Sequence, residues 1–235
     1  MSKRAIPAAR IILVLVSLVL FDSGGTQSCD ASEPKVVARH TREFRVSVDG
    51  KPRGTQTMVF SRRSDGSETM RGDVEVTMNF VVYKYRYASN GTEVWKDGRL
   101  IELASEADFN GDKYVLQGSA TKQALHYEVN GEAQKAPPDV WAASYWREPD
   151  AGRVGQKIRL LDADKGRQLT ATLERVGPAT VTVESTPIIA TRYRMRGDVE
   201  VDVWYDAQRF IVRQESLESG HKTPLEIVRI RHTTP

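Results

Sequence analysis

Arg192, Arg194 and Arg196 occur at alternate positions, so in a strand they would form a row of guanidinium groups on one face. Such a row could hold a phospholipid head group or an acidic polysaccharide. Lys84 and Arg86, interleaved with Tyr83, Tyr85 and Tyr87, raise the same prospect. For the arginine row the surrounding sequence suggests another role. A three-residue connection at 197–199 sets Arg196 opposite Glu200, Arg194 opposite Asp202 and Arg192 opposite Trp204. On the other face Met195 then meets Val201 and Tyr193 meets Val203. A two-residue connection would set arginines against valines. Side-chain parity therefore selects the odd loop, with Gly197 taking the backbone conformation other residues avoid. The row is expected to be a solvated sheet face, neutralised by carboxylates across the ladder.

Other chemistry is sparse. His40, His126, His221 and His232 stand apart, and neither H-E-x-x-H nor C-x-x-C occurs. Asp108-Phe109-Asn110-Gly111-Asp112 and Asp162-Ala163-Asp164 begin like calcium loops. An EF-hand needs Gly at its sixth position and Glu at its twelfth. Those places hold Lys113 and Ser119 in the first case, and Arg167 and Leu173 in the second. Nucleophile-elbow, phosphate-loop and dinucleotide signatures are missing as well. No catalytic residue, metal or cofactor is assigned, and an enzyme is not the favoured reading.

The aromatic residues are more suggestive. Trp95, Trp141, Trp146 and Trp204, with Tyr83, Tyr85, Tyr87, Tyr145 and Tyr205, gather in a few segments. Such residues commonly fill a β core. Trp141, Tyr145 and Trp146 fall in a non-strand segment that could cover the mouth of a curved sheet. With Trp95 and Trp204 they are the candidate ligand contacts.

The elements that must position these residues are strands. Phe44, Val46 and Val48 alternate with polar residues. So do Val74–Phe80, Leu125–Val129 and Leu169–Leu173. Period two means one face in a core and one in water. Asp49-Gly50, Asp65-Gly66, Asn90-Gly91, Asp97-Gly98, Asn110-Gly111 and Asn130-Gly131 punctuate the runs as hairpin turns. Met70-Arg71-Gly72-Asp73-Val74-Glu75-Val76 recurs as Met195–Val201, and both copies are expected at turns. Residues 134–156 break the pattern with Pro137, Pro138 and Pro149. Asp139 could cap a short helix over Val140–Arg147, bringing Trp141 and Tyr145 together at i and i+4. The expected fold is all-β: an antiparallel meander of about a dozen strands, forming a curved open barrel or a two-sheet sandwich, with one short helical segment. One domain spans 41–235. It comprises an N-terminal meander (41–133), a connecting segment (134–156) and a C-terminal meander (157–231).

The N-terminus carries a targeting pattern. Lys3, Arg4 and Arg10 precede an apolar run, Ile11–Phe21, interrupted only by Ser17; a polar, small-residue stretch follows. That is the layout of a secretory signal over 1–28, and the run is short for a membrane span of ~20 residues. Residues 29–40 read as a flexible tail. Cys29, the single cysteine among 235 residues, excludes an intramolecular disulfide and is a candidate lipidation site, with membrane association through the N-terminus. The expected location is the periplasm or cell envelope. The chain holds 34 basic and 31 acidic residues. Residues 1–28 take Lys3, Arg4, Arg10 and Asp22, leaving 31 against 30, so the remainder is nearly neutral. That balance argues against a nucleic-acid partner.

Several short motifs together resemble a bacterial family of exported proteins of unknown function. They are Val48-Asp49-Gly50, Val94-Trp95-Lys96-Asp97-Gly98-Arg99-Leu100, Ser144-Tyr145-Trp146, Trp204-Tyr205-Asp206 and Ile211-Val212-Arg213. The resemblance implies no catalytic residues. Val203-Trp204-Tyr205-Asp206 followed by Glu215–Gly220 is also similar to the periplasmic lipoprotein carriers of the localisation-factor type. Those are incomplete antiparallel barrels with helices over an apolar cavity. The leading functional expectation is a non-catalytic envelope protein that binds a lipid or other amphiphile between the sheet and residues 137–149. The alternatives are a carbohydrate-binding or carbohydrate-active module and a partner-binding domain that uses a sheet edge.

Overall fold

The computed structural model describes residues 34–79, 84–218 and 221–233. The signal segment and Cys29 lie outside the described residues.

Among the described residues fifteen strands form one sheet. They are β1 (Val36–Val48), β2 (Lys51–Arg63), β3 (Glu68–Asn79), β4 (Lys84–Lys96), β5 (Arg99–Phe109), β6 (Asp112–Ala120), β7 (Leu125–Val129) and β8 (Glu132–Ala136). Then come β9 (Trp141–Ala142), β10 (Lys157–Leu161), β11 (Gln168–Val183), β12 (Thr186–Gly197), β13 (Glu200–Tyr205), β14 (Ile211–Glu218) and β15 (His221–Thr233). The order runs β8 to β1 and then β15 to β9. The two meanders join where β1 pairs with β15, for example Val46 with Leu225. The ends, β8 and β9, are not paired with each other, so the sheet is open. A single sheet replaces the two-sheet alternative.

Alternation explains the strands. Phe44, Val46, Met58, Phe60, Met70, Val76, Trp95, Leu103, Leu116, Tyr127, Met195, Val201 and Val203 all point to one buried side. The turns follow their chemistry. Asp49-Gly50, Asp97-Gly98, Asn110-Gly111 and Asn130-Gly131 each hold two successive residues at positive φ, the primed-turn geometry. The β12–β13 register is the one parity requires: Arg196 faces Glu200, Arg194 faces Asp202, Met195 faces Val201, and Gly197 has φ 153°.

Four expectations are corrected. Asn90-Gly91 is not a turn; it lies inside β4, where Gly91 faces Gly72 of β3. The first copy of the heptapeptide repeat is therefore mid-strand, and only the second spans a turn, running from β12 into β13. Strand β1 begins at Val36, inside the stretch expected to be a tail. No helix forms over 140–147. Trp141 and Ala142 pair in parallel with Leu160 and Leu161, and Tyr145 at φ 52° cannot continue a helix. The one helical turn described is a 3-10 turn at Ala151–Arg153. The covering helices of a localisation-factor carrier are thus absent among the described residues.

Candidate functional site

Two pieces of the chain pack against the concave side: residues 143–149 and the β10–β11 turn, 162–167. The first builds the candidate site. It is anchored on Glu93, which parity turns inward beside Trp95. Glu93 is 2% exposed. Its Oε2 accepts the indole N–H of Trp95 and that of Trp146, each at 2.8 Å. Burial pushes the Glu93 carboxyl up; the hydrogen bonds from Trp95 and Trp146, and the charge of Arg147, act against that shift. The Arg147 guanidinium stands 5.2 Å from the Trp95 ring centre and 5.8 Å from that of Trp146. It also pairs with Glu68 at 3.5 Å.

A second anchor comes from β1. Arg42 is on the concave side, 2% exposed. It binds Asp206 at 2.6 Å and donates to the Ile211 carbonyl at 3.0 Å. Burial lowers the Arg42 pKa, and the carboxylate of Asp206 works against that. Asp206 in turn accepts the backbone N–H groups of Gln208 and Phe210 and so shapes the β13–β14 turn. The turn sets Phe210 parallel to Trp146, with centroids 6.1 Å apart and planes 15° from parallel. Arg209 reaches Glu148 at 2.9 Å, and Glu148 also accepts Tyr193 OH at 2.8 Å.

These anchors frame a cleft of about 100 Å³ at the mouth of the sheet, between the β2–β3 hairpin, residues 146–148 and the β13–β14 turn. Trp146 and Phe210 contribute its apolar lining; Arg62, Arg147, Arg209, Glu68 and Glu148 supply its charge. Beside Trp95 and Trp141 there is only a crevice of about 10 Å³. That is about the room a single water needs.

The sequence-predicted residues divide accordingly. Trp95, Trp141, Tyr145 and Trp146 do come together on the concave side, with Trp141 and Tyr145 edge to face at 6.0 Å. All four are buried, filling the space that was expected to hold an apolar ligand. Of the four, Trp146 lines the mouth cleft. Trp204 lies apart on the outer face, between the guanidinium groups of Arg192 (5.0 Å) and Arg213 (5.2 Å). Next to it Asp202 receives all three arginines of the row: Arg192, Arg194 at 3.2 Å and Arg196 at 3.1 Å. Arg194 meets Asp202 as parity suggests, but Arg196 also turns to Asp202, where Glu200 was expected, so a single carboxylate serves three guanidinium groups.

Sequence reasoning missed Arg42, Glu93 and Asp206. A signal existed for the first two. Arg42 shares the parity of Phe44 and Val46, and Glu93 that of Trp95, so each is a charge on a core-facing position.

The sheet edge offers little. The Asn130-Gly131 turn makes Val129 and Glu132 a hydrogen-bonded pair, so on β8 only Ala133 and Lys135 present backbone groups outward. The Lys135 carbonyl already accepts Gln168 Nε2 at 3.0 Å.

Fold and site together define a β-barrel-like protein whose concave side is packed by its own segments. The sequence matches the family described as a domain of unknown function, DUF6134, over residues 44–227, and the chain belongs to that family. Among solved structures it is similar to a β-barrel-like protein of domain of unknown function DUF1849 from Brucella abortus. The TM-score is 0.62 at 8% identity, covering 86% of this chain and 100% of that one. At that identity the likeness concerns the fold alone. Comparison with curated proteins gives no match.

Proposed function

We propose that this is an exported, non-catalytic binding protein whose ligand enters the mouth cleft by an anionic head group. The observation that carries the reading is the convergence of Arg62, Arg147 and Arg209 on the rim of the cleft beside Trp146 and Phe210. Arg62 and Arg147 share Glu68, and Arg209 pairs with Glu148 and, at 3.8 Å, with Asp150, so an anionic head would enter by exchanging with these carboxylates for the guanidinium groups. The cleft's volume suits a carboxylate or phosphate head; pockets that enclose drug-sized ligands are ~300–1,000 Å³. An amphiphile would therefore seat its head and leave its apolar body along the rim. The N-terminal pattern of Lys3, Arg4, Arg10 and Ile11–Phe21 supports export. Sugar stacking is disfavoured, because the tryptophans that would serve as platforms are buried.

The test is native mass spectrometry of residues 30–235 purified from a bacterial periplasm, then titration with dodecanoate and dodecyl phosphate followed by tryptophan fluorescence. A co-purified anionic amphiphile, or saturable quenching lost in Arg62→Ala/Arg209→Ala, supports the reading. A bare mass together with no fluorescence response to either probe rejects it.

A further inference from the structure

The second segment on the concave side is held by a different chemistry. In the β10–β11 turn the Asp164 carboxylate accepts Tyr87 OH on one oxygen at 2.5 Å and Ser89 Oγ on the other at 2.6 Å. Ser105 Oγ donates to the Ala163 carbonyl, and Tyr127 OH to that of Gly166 at 2.9 Å. The Lys165 ammonium stands 3.9 Å from the Phe109 ring centre. The hydroxyls come from β4, β5 and β7, whereas the turn comes from the opposite half of the sheet. It bridges the seam that no strand ladder closes.

A purely apolar core uses none of these groups, since each buried polar group must be matched. Here two hydroxyls read a carboxylate, two read main-chain carbonyls, and an aromatic ring receives a cation. That set recognises a peptide with an acidic and a basic side chain. The turn is also preformed for the role. Asp162 accepts the backbone N–H groups of Asp164 and Lys165, both at 3.1 Å, and pairs with Arg167 at 2.8 Å. Gly166, at φ 67°, lets it seat, because a Cβ there would collide with the Val129 side chain and lie 3.3 Å from both Leu116 and Tyr127. Burial pushes the Asp164 carboxyl up, and Ser89 and Tyr87 oppose this.

We propose that the concave face of β4–β7 is a binding site for a carboxylate-bearing peptide, closed by the chain's own Ala163–Lys165 turn as a built-in ligand. The tethered turn competes at an effective concentration of order mM, so a peptide added in trans is excluded until the turn loses its side-chain contacts.

The experiment uses the full chain with Asp164→Ala/Lys165→Ala and a fluorescent synthetic peptide of residues 160–169. By anisotropy the double variant binds the peptide at least tenfold more tightly than the wild type. Adding Tyr87→Phe and Ser89→Ala removes the gain. A variant with wild-type near-ultraviolet circular dichroism that binds no more tightly overturns the proposal. Hydrogen exchange on the wild type decides the matter if the variant does not fold. Exchange of the 164–166 amides by a local opening, ahead of β12 and β13, supports a displaceable turn. Exchange together with those strands makes the turn permanent core and rejects it.

Discussion

Arg42 and Asp206 form a buried ion pair at 2.6 Å between the first strand and the β13–β14 turn, far apart in sequence. Asp206 also organises the turn that carries Arg209 and Phe210. Removing one partner leaves a buried charge, which costs about 3–5 kcal/mol. Arg42→Met and Asp206→Asn should each lower stability by that order in urea unfolding. The double variant should lose less than the sum of the two. Additive losses would mean the two groups are not coupled.

Strand parity makes a sharper contrast in β13. Val201 is buried against Met195, while Glu200 is exposed. Val201→Asp puts an unpaired carboxylate in the core and should cost more than about 3 kcal/mol. Glu200→Ala, one residue away, should cost less than about 0.5 kcal/mol. Thermal unfolding of the pair is a direct check on which face of β13 is inside.

Much of the fold was legible because parity and turn chemistry are local. Met195, Val201, Arg194 and Asp202 fix the β12–β13 register from residue types alone. Asn90-Gly91 misled because the same dipeptide serves a turn or a strand position facing another glycine, and Gly72 is distant in sequence. Asp139 between prolines suggested a capped helix, which would bring the Trp141 and Tyr145 rings together at i and i+4. Here they meet through a parallel bridge to Leu160 that local sequence cannot encode. The site was least legible. Its anchors are charges on core-facing positions, whose partners, Trp146 for Glu93 and Asp206 for Arg42, are chosen only by the closing of the sheet.

Gly197 and Gly111 separate backbone strain from packing. Both have positive φ, at 153° and 106°. A Cβ on Gly111 meets nothing within 4 Å, whereas one on Gly197 would lie 2.6 Å from the Thr170 carbonyl oxygen. Gly111→Ala should cost about 1–2 kcal/mol, the strain alone. Gly197→Ala should cost more, because β11 must also move. Equal losses in chemical denaturation would mean that β11 gives way without cost.

Glu93 and Asp202 should act on stability with opposite pH dependence. Burial raises the Glu93 carboxyl above its unfolded value, so between the two values the folded state holds the extra proton. Stability then falls as pH rises through that window. Asp202 is the reverse. Burial works to raise it, but hydrogen bonds from Arg194 and Arg192 and the charges of Arg192 and Arg196 prevail, and it sits below the usual carboxylate range. Its contribution is present above the unfolded value and is lost as pH falls toward the folded one. Glu93→Gln should therefore be tolerated best near neutral pH, where it removes the cost of a buried charge while keeping an acceptor for both indoles. It should also flatten the decline in stability above the ordinary glutamate range. Asp202→Asn leaves three arginines without their shared carboxylate. It should cost about 2 kcal/mol at neutral pH and little in strong acid, where the wild-type carboxylate is protonated. Unfolding free energies from pH 3 to 8 for both variants test the signs together. A Glu93→Gln profile parallel to the wild type would place the ionised carboxylate, held by Trp95 and Trp146, at no net cost.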